Sequence, residues 1–419
     1  MTSFSFVMAG VNKCQSKCLY CSAGSTMAYE QFRANPCLTP DIIDLKWNEQ
    51  AIINRFDNHP QFIQEVAQAA FNKVKPTVHV DIWGANPLFN FSAFKKTVNF
   101  LLWYFKEGNN RWLIKWNILL HTSDNALSFA STPITEYVIA NNIHVQLSHD
   151  GLGEWIRTGD VDPLAIGSPC FENIKLCAKL GLIDWINCTL SSLNTSFFGN
   201  INYFNKWRQD AEIWEKPLFI KLNHVYPGTY DVKAINTKGL KNGVVHPELI
   251  GKPIGDLAIR GKDLWDYMGE FVQLVMMFED PYYTEGRYYK PYVSYINGQK
   301  SRFKILKSHE EKTGACRAYQ RYKHSVGDPS SWSSTTFVID SLGEYSECNL
   351  IDSTFSVKNP GGPQPEHCKG CKYEFASECN QCGTENMADE CEWLYAFNAM
   401  TRAFKFIENR KRTVVSANK

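Results

Sequence analysis

The sequence predicts an α/β protein: a partial, TIM-like (β/α)6 barrel followed by a small α+β domain that is rich in cysteine. Three observations support this fold class. Six short apolar runs alternate with helical segments over residues 1–230, which is typical of a parallel sheet covered by helices. Half of the 14 cysteines fall in residues 311–395. Three more lie close together near the start of the chain, at Cys14, Cys18 and Cys21.

The six strands are predicted from apolar and β-branched runs. They are Phe4–Ala9, Val78–Trp83, Leu113–Leu120, His144–Leu147, Ile183–Leu190 and Leu218–Leu222. A first helix is expected from Thr39 and Pro40 towards Phe56, because an N-cap residue before a proline is typical of a helix start. Further helices are expected at Phe91–Phe105, Pro133–Ala140 and Phe171–Leu180. In barrels of parallel strands the chemistry lies at the carboxyl ends of the strands, so the residues that follow them are the candidates for function.

Four segments are predicted along the chain. The barrel spans 1–230 and is followed by a bridge at 231–310, which contains a helix at Asp263–Phe278. The cysteine-rich domain spans 311–395, and a C-terminal helix and tail occupy 396–419.

Charge and hydropathy exclude some classes of partner. Lys and Arg total 44 against 43 Asp and Glu, so the net charge of +1 gives no overall attraction to nucleic acid or to a membrane surface. No apolar run is long enough to cross a membrane and no secretory signal is present, so we expect a cytoplasmic protein without a membrane partner. Cysteines stay reduced in the cytoplasm, which favours metal ligation over disulfides.

The N-terminal cysteines have the spacing C-x3-C-x2-C. Three thiolates on one loop can hold three irons of a 4Fe–4S cluster and leave the fourth iron open. The alternative is a zinc site, but zinc needs four ligands and Cys37 is only a weak candidate for the fourth. With Tyr20 before its third cysteine, the motif resembles that of the radical S-adenosylmethionine (SAM) superfamily. The resemblance implies SAM on the open iron, cleavage of SAM to a 5′-deoxyadenosyl radical, and an external electron donor such as flavodoxin or ferredoxin.

Other motifs of that superfamily follow the predicted strands. Gly84-Ala85-Asn86-Pro87 resembles the G-G-E-P motif, whose backbone meets the SAM amino group, although Asn86 replaces the usual glutamate. Ser148 and Asp150 match an S-x-D-G strand end near the SAM carboxylate and ribose. Arg157 is either a clamp for that carboxylate or a partner in a surface ion pair. His121–Asp124, where relatives carry T-N-G, is a weaker candidate. Asn187 and Asn223 are candidates for which core hydrogen bonding is an equal explanation.

The C-terminal cysteines resemble the SPASM domain in number and order, with Gly343 five residues before Cys348 in a predicted strand–turn–strand segment. Two spacings depart from the family pattern, because the second block reads C-x2-C-x7-C-x2-C. By that resemblance auxiliary 4Fe–4S cluster I is held by Cys316, Cys348 and Cys382. Auxiliary cluster II is held by Cys368, Cys371, Cys379 and Cys391. A pair of zinc ribbons is the alternative, but seven ligands cannot fill two tetrahedral zinc sites.

The other four cysteines lie in the predicted barrel, at Cys37, Cys170, Cys177 and Cys188. Buried cysteines act mostly as small apolar residues, so a structural role is the first interpretation. The second is that one of them donates a hydrogen atom to a substrate radical.

The SPASM resemblance implies a peptide or protein substrate and a crosslink, epimerisation or oxidation as the reaction. Asn349 stands where sulfatase-maturing members carry an aspartate base, which argues against formylglycine formation by that route. Only 13 residues precede the first cluster cysteine, so recognition of a leader peptide is expected from a separate leader-binding protein or from the bridge.

Two alternatives belong to other functional classes. Tyr282, Tyr283 and the segment 287–292 interleave aromatics with cations, as grooves for single-stranded nucleic acid do, although Asp280 and Glu285 offset the charge. A nucleotide or nucleic-acid base is therefore the second substrate class. An electron-transfer or scaffold protein that only holds clusters is the third interpretation, and the open iron of the N-terminal motif argues against it.

Overall fold

The computed structural model describes residues 1–11, 14–16, 18–20, 45–159, 161–213, 218–224, 252, 257, 259, 261–279 and 336–346. The chain divides into two compact units. The first unit comprises 1–148, 158–184 and 317–360, and the second comprises 149–157, 185–316 and 361–419.

The described strands and helices alternate over most of the chain. The strands are β1 (Thr2–Val7), β2 (Thr77–Trp83), β3 (Asn117–Asp124), β4 (His144–Ser148), β5 (Ile183–Leu190), β6 (Phe219–His224), β7 (Thr336–Asp340) and β8 (Tyr345–Ser346). The α-helices are α1 (Glu49–Asn58), α2 (Pro60–Phe71), α3 (Phe91–Leu101), α4 (Thr132–Ala140), α5 (Trp155–Thr158), α6 (Phe171–Lys179), α7 (Phe197–Asp210) and α8 (Gly261–Glu279).

The first unit is built on a mainly parallel sheet. Strand β1 pairs in parallel with β2 on one side and with β7 on the other. Strands β2 and β3, and then β3 and β4, continue the parallel ladder. Strands β7 and β8 form an antiparallel hairpin, which confirms the predicted strand–turn–strand segment. Its turn contains Gly343 at a φ of 78°, a backbone conformation that favours glycine.

Aromatic side chains form the core of the first unit beneath β1. Phe4 lies on the central strand and packs against Phe56, Phe62 and Phe337, with ring centroids 5.4, 5.5 and 5.4 Å away. These rings come from α1, α2 and β7, and all are buried. Burying such rings in edge-to-face or stacked pairs contributes both apolar area and ring–ring attraction, so this cluster fixes the helices on β1.

The second unit contains a two-stranded parallel ladder with helices beside it. Strand β5 pairs with β6 from Trp185 opposite Phe219 to Leu190 opposite His224. Helix α7 begins at Phe197, where the hydroxyl of Ser196 accepts a hydrogen bond from the Gly199 N–H at 3.0 Å and caps the helix.

The barrel part of the predicted fold class is confirmed: β1 to β4 pair in parallel in the first unit, β5 and β6 pair in parallel in the second, and helices flank them. The predicted α+β domain lies almost wholly outside the described residues. The fifth strand was predicted at its observed bounds, Ile183–Leu190. The helix of the bridge also forms, at Gly261–Glu279. None of the helices in the described segments is long and apolar enough to cross a membrane.

Two predicted elements are wrong in their N-terminal parts. The predicted start at Thr39 and Pro40 lies outside the described residues, but the helix does not run unbroken from there to Phe56. The first described helix begins at Glu49, because the backbone N–H groups of Lys46 and Asn48 pair with Ala9 and Ser341 and keep residues 45–48 out of the helix. Residues 21–44 lie outside the described part of the chain. The third strand begins at Asn117, since Leu113 adopts a φ of 53° in a turn. Helix α2 was not predicted, although Pro60 at its first position marks its start.

The domain boundaries stay predictions. Everything beyond Ser346, including the C-terminal helix and tail, lies outside the described residues. The seven cysteines assigned to the auxiliary clusters also lie outside them.

Candidate cofactor site

Cys14, the first cysteine of the predicted cluster motif, is buried in the first unit. Cys14 is 6% exposed, and its sulfur accepts a hydrogen bond from the Ser16 backbone N–H at 3.3 Å. A second bond to the same sulfur comes from Asn125 Nδ2 at 3.2 Å. Asn125 directly follows β3, so the end of this strand holds the cysteine loop.

A network of buried polar side chains ties the same loop to the ends of β2 and β3. Gln15 accepts a bond from Asn86 Nδ2 at 2.6 Å and donates one to Ser128 Oγ at 2.9 Å. Ser128 in turn donates to Asp124 Oδ2 at 2.6 Å. Asn86 lies in the loop after β2, and Asp124 ends β3. Buried polar groups are stable only when they are paired, and this network pairs Asn86 and Gln15 with each other.

Asp124 is the one acid in this network. Burial raises its pKa to about 6, although hydrogen bonds from Ser128 and Asn86 lower the pKa in part. The carboxyl side chain is 2% exposed. The charged form of Asp124 is therefore disfavoured, and its carboxyl group holds a proton more tightly in the folded protein than in the unfolded chain.

The predicted SAM-binding residues after β2 lie close to the chain that leads into the cysteine loop. A Cβ added at Gly84 would lie 3.2 Å from Met8 Cε, so the glycine leaves room for close packing. The Ala85 N–H donates to the Val11 carbonyl at 3.5 Å. Ser148, at the end of β4, belongs to the same unit and is half-buried.

The residues present fit an iron–sulfur cluster as far as they are described. A cysteine sulfur that accepts two N–H bonds is suited to carry the charge of a thiolate ligand. Cys18 and Tyr20 are also described, whereas Cys21 and Cys37 are not. Within the described residues no three His, Cys, Asp or Glu side chains converge as a metal site.

A second group of charged residues is buried in the second unit around Asp150. The Asp150 carboxylate accepts a bond from the Thr189 N–H at 2.9 Å, and its backbone N–H donates to Glu154 Oε2 at 2.7 Å. Arg157 Nη1 lies 3.7 Å from Asp150 Oδ1, and its Nε lies 3.9 Å from Glu154 Oε1. The structure thus brings together Asp150 and Arg157, two of the predicted SAM-binding residues.

Arg157 is not part of a surface ion pair, because it is 5% exposed. Burial raises the pKa of Glu154 to about 7, although His149 and Arg157 lower it. His149 lies with Nδ1 3.6 Å from Glu154 Oε2, and its ring stacks on Tyr203 with centroids 5.3 Å apart. The two buried carboxyl groups compensate the buried positive charge of the guanidinium, so Asp150 and Glu154 are the structural partners of Arg157.

The weaker strand-end candidates are placed differently. Asn187 lies inside β5, where its carbonyl accepts the His149 N–H at 2.8 Å. Its side-chain Oδ1 is buried without a hydrogen-bond partner in the structure. Asn223 stands opposite Thr189 in the β5–β6 ladder. His121 pairs instead with Asp81, its Nδ1 lying 2.8 Å from Oδ1.

Three of the remaining cysteines are described and all are buried. Cys170 donates to the Leu127 carbonyl at 3.7 Å. Burial raises the pKa of Cys177 to about 12. Burial, followed by the Asp150 and Glu154 carboxylates, also raises the pKa of Cys188. The thiols of Cys177 and Cys188 therefore keep their protons, which fits a structural role and a hydrogen-donor role equally.

In its cysteine and strand-end motifs the chain resembles radical SAM enzymes of the SPASM type. No protein-family model matches the sequence, and no curated protein matches it. Among solved structures, native anSMEcpe with bound AdoMet and the Cp18Cys peptide is 12% identical, and native anSMEcpe with bound AdoMet is 13% identical. Each match has a TM-score of 0.49 and covers 97% of this chain and 99% of the other. Streptococcus suis SuiB bound to its precursor peptide SuiA is 11% identical, with a TM-score of 0.35 over 94% of this chain and 64% of that one.

Sequence reasoning missed Asn125, His149 and Glu154. Asn125 directly follows the weak candidate segment 121–124, and an asparagine after a strand is too common to mark a site. His149 and Glu154 flank the predicted Asp150, and their clustering depends on the 3-10 turn Gly151–Gly153, which the sequence pattern did not indicate.

Proposed function

We propose that this chain is a radical SAM enzyme that modifies a peptide or protein. The observation that carries the proposal is the Cys14 loop, which Asn125 and the Asn86–Gln15–Ser128 network fix to the ends of two neighbouring parallel strands. These strand ends are where a barrel of this type positions its chemistry.

The chain's own residues have distinct roles in this proposal. Cys14, Cys18 and Cys21 would hold the cluster, which supplies the electron that cleaves SAM. Asn86 is held by Gln15, so its backbone is presented beside the cysteine loop, where the sequence motif predicts contact with the SAM amino group. The proposal keeps the sequence assignment of the other SAM-binding residues: Tyr20, Gly84, Ala85, Ser148, Asp150 and Arg157.

The substrate class rests on the SPASM-type number and order of the C-terminal cysteines. Members of that family act mostly on peptides and proteins, and two auxiliary clusters are part of the proposal. A cytoplasmic location, a separate leader-binding protein and a flavodoxin or ferredoxin as electron donor also belong to it. The nucleic-acid alternative rests on residues 280–292, which lie outside the described part of the chain, and no described residue favours it.

The proposal is tested by anaerobic reconstitution followed by reduction in the presence of SAM. We expect about 12 iron per chain for three 4Fe–4S clusters, and release of 5′-deoxyadenosine and methionine. Replacing Cys14, Cys18 and Cys21 together by Ala should remove about four iron and abolish SAM cleavage. Cys177→Ala is the matched control, because Cys177 is a buried cysteine of the same unit outside the motif.

Two results would contradict the proposal. Near-stoichiometric zinc with little iron would restore the zinc interpretation of the motif. Iron uptake without any 5′-deoxyadenosine would favour the electron-transfer or scaffold protein. Once candidate peptides are at hand, transfer of deuterium from peptide to 5′-deoxyadenosine identifies the carbon that is attacked.

A further inference from the structure

The side chain of Asn125 is fixed at both ends of its carboxamide. Oδ1 accepts a hydrogen bond from the Leu127 backbone N–H at 3.1 Å. Nδ2 donates to Ser16 Oγ at 2.7 Å and to Cys14 Sγ at 3.2 Å. Because a backbone N–H can only donate, the oxygen must face Leu127, and this settles which end of the amide faces the sulfur. Asn125 is 5% exposed, so water does not compete at this position.

We propose that Asn125 is a positioning residue for the iron–sulfur cluster: its N–H···S bond holds the Cys14 sulfur in place and raises the reduction potential of the cluster that Cys14 helps to hold. This inference rests on the proposed function. A hydrogen bond to a ligating sulfur withdraws negative charge from it, so an added electron is accommodated more easily. Asn125 thus acts through Cys14.

The Asn125 bond differs in kind from the bond that the Ser16 N–H donates to the same sulfur. The Ser16 N–H is backbone of the cysteine loop itself and is present whatever side chain follows Cys14. Asn125 instead belongs to the end of β3, and its side chain connects the sheet to the sulfur. It is therefore the donor that a single substitution can remove while the loop backbone stays unchanged.

The experiment measures the reduction potential of the reconstituted full-length chain by anaerobic redox titration followed by electron paramagnetic resonance. The signal that changes on adding SAM identifies the N-terminal cluster. In Asn125→Leu, which is close in size and has no donor, we expect a roughly tenfold lower ratio of reduced to oxidised cluster at a given applied potential. For a one-electron couple this is a shift of about 59 mV to more negative potential.

Two control variants separate this effect from a general loss of packing. Asn173→Leu removes a carboxamide in the same unit whose Nδ2 donates to the Phe129 carbonyl at 2.7 Å, and its potential should match that of the wild type. Ser16→Ala keeps both N–H bonds to Cys14 and loses only the Ser16 hydroxyl contact. It should shift the potential by less than half as much as Asn125→Leu.

Each outcome decides the inference. An unchanged potential in iron-replete Asn125→Leu overturns it, and so does an equal shift in Asn173→Leu. If Asn125→Leu holds no iron, Asn125→Ala is titrated instead, since it removes the donor with a smaller, uncharged side chain. An unchanged potential in Asn125→Ala likewise overturns the inference, whereas a shift to more negative values supports it. Absence of any cluster in the wild type refutes the proposed function, and the inference with it.

Discussion

Replacing Asp124 by Asn should stabilise the protein at neutral pH and lose much of that effect in acid. The buried carboxyl group has its pKa raised from 3.8 to about 6. A shift of roughly 2 pKa units corresponds to about 3 kcal/mol. Because the folded state holds the proton more tightly, the free energy of unfolding of the wild type falls as the pH rises from about 4 to about 6, and it stays lower above that range.

Asparagine removes this titration while keeping an oxygen for the Ser128 hydroxyl bond. At about pH 7.5 the buried carboxylate lowers the unfolding free energy of the wild type by nearly the full value of about 3 kcal/mol, and at about pH 4.5 by roughly a third of that amount. The gain in unfolding free energy of Asp124→Asn over the wild type should therefore be about 2 kcal/mol larger at the higher pH than at the lower pH.

Urea unfolding at the two pH values, followed by tryptophan fluorescence, measures this difference. Glu136→Gln serves as the control, because it removes one carboxylate from an exposed position of α4 in the same unit. A difference between Asp124→Asn and the wild type that is equal at both pH values would show that burial does not hold the proton on Asp124, and the reasoning would fail.

Two further predictions concern packing and buried charge. Gly343→Ala should destabilise the protein by about 2–4 kcal/mol in urea unfolding, because the new Cβ would lie 2.6 Å from the Ala51 carbonyl carbon at a φ of 78°. Gly167→Ala has a similar φ of 86° with nothing within 4 Å, so it should cost only about 1–2 kcal/mol; equal losses would refute the steric explanation. Arg157→Ala should cost about 3–5 kcal/mol, because it leaves the Asp150 and Glu154 carboxyl groups buried without their guanidinium. Adding Glu154→Gln should recover part of that loss, and no recovery would argue against charge as the cause.

The parts of the fold that the sequence predicted well depend on local pattern. Strand β5 alternates buried and less buried residues and is bounded by turns, so its limits were found at Ile183 and Leu190. The start of α1 was missed because it depends on pairing with distant residues. The Asn48 N–H donates to the Ser341 carbonyl, which is nearly 300 positions away in the chain. No local propensity at Thr39 and Pro40 contains that information.

At the candidate site, too, local sequence pattern predicted some residues and missed those that act through distant contacts. Cysteine spacing and strand-end motifs singled out Cys14, Asn86 and Asp150 from short segments of sequence. The groups that hold them in place, Asn125 and Glu154, are ordinary polar residues whose importance comes from burial and direction. Such partners become recognisable only when the atoms they contact are known.

The pairing of β1 with β7 sets an order of events during synthesis. Strand β1 contains the second residue of the chain, yet one of its two neighbours, Thr336–Asp340, is translated more than 300 residues later. Until then, β1 presents an open edge to the ribosome exit region and to other chains, and such edges invite wrong pairing. Ser341, just after β7, then donates its hydroxyl to the Lys46 carbonyl at 2.6 Å and accepts the Ala9 N–H at 2.9 Å. The chain leading into the first cysteine loop is thus held by Ser341 only after β7 has been synthesised.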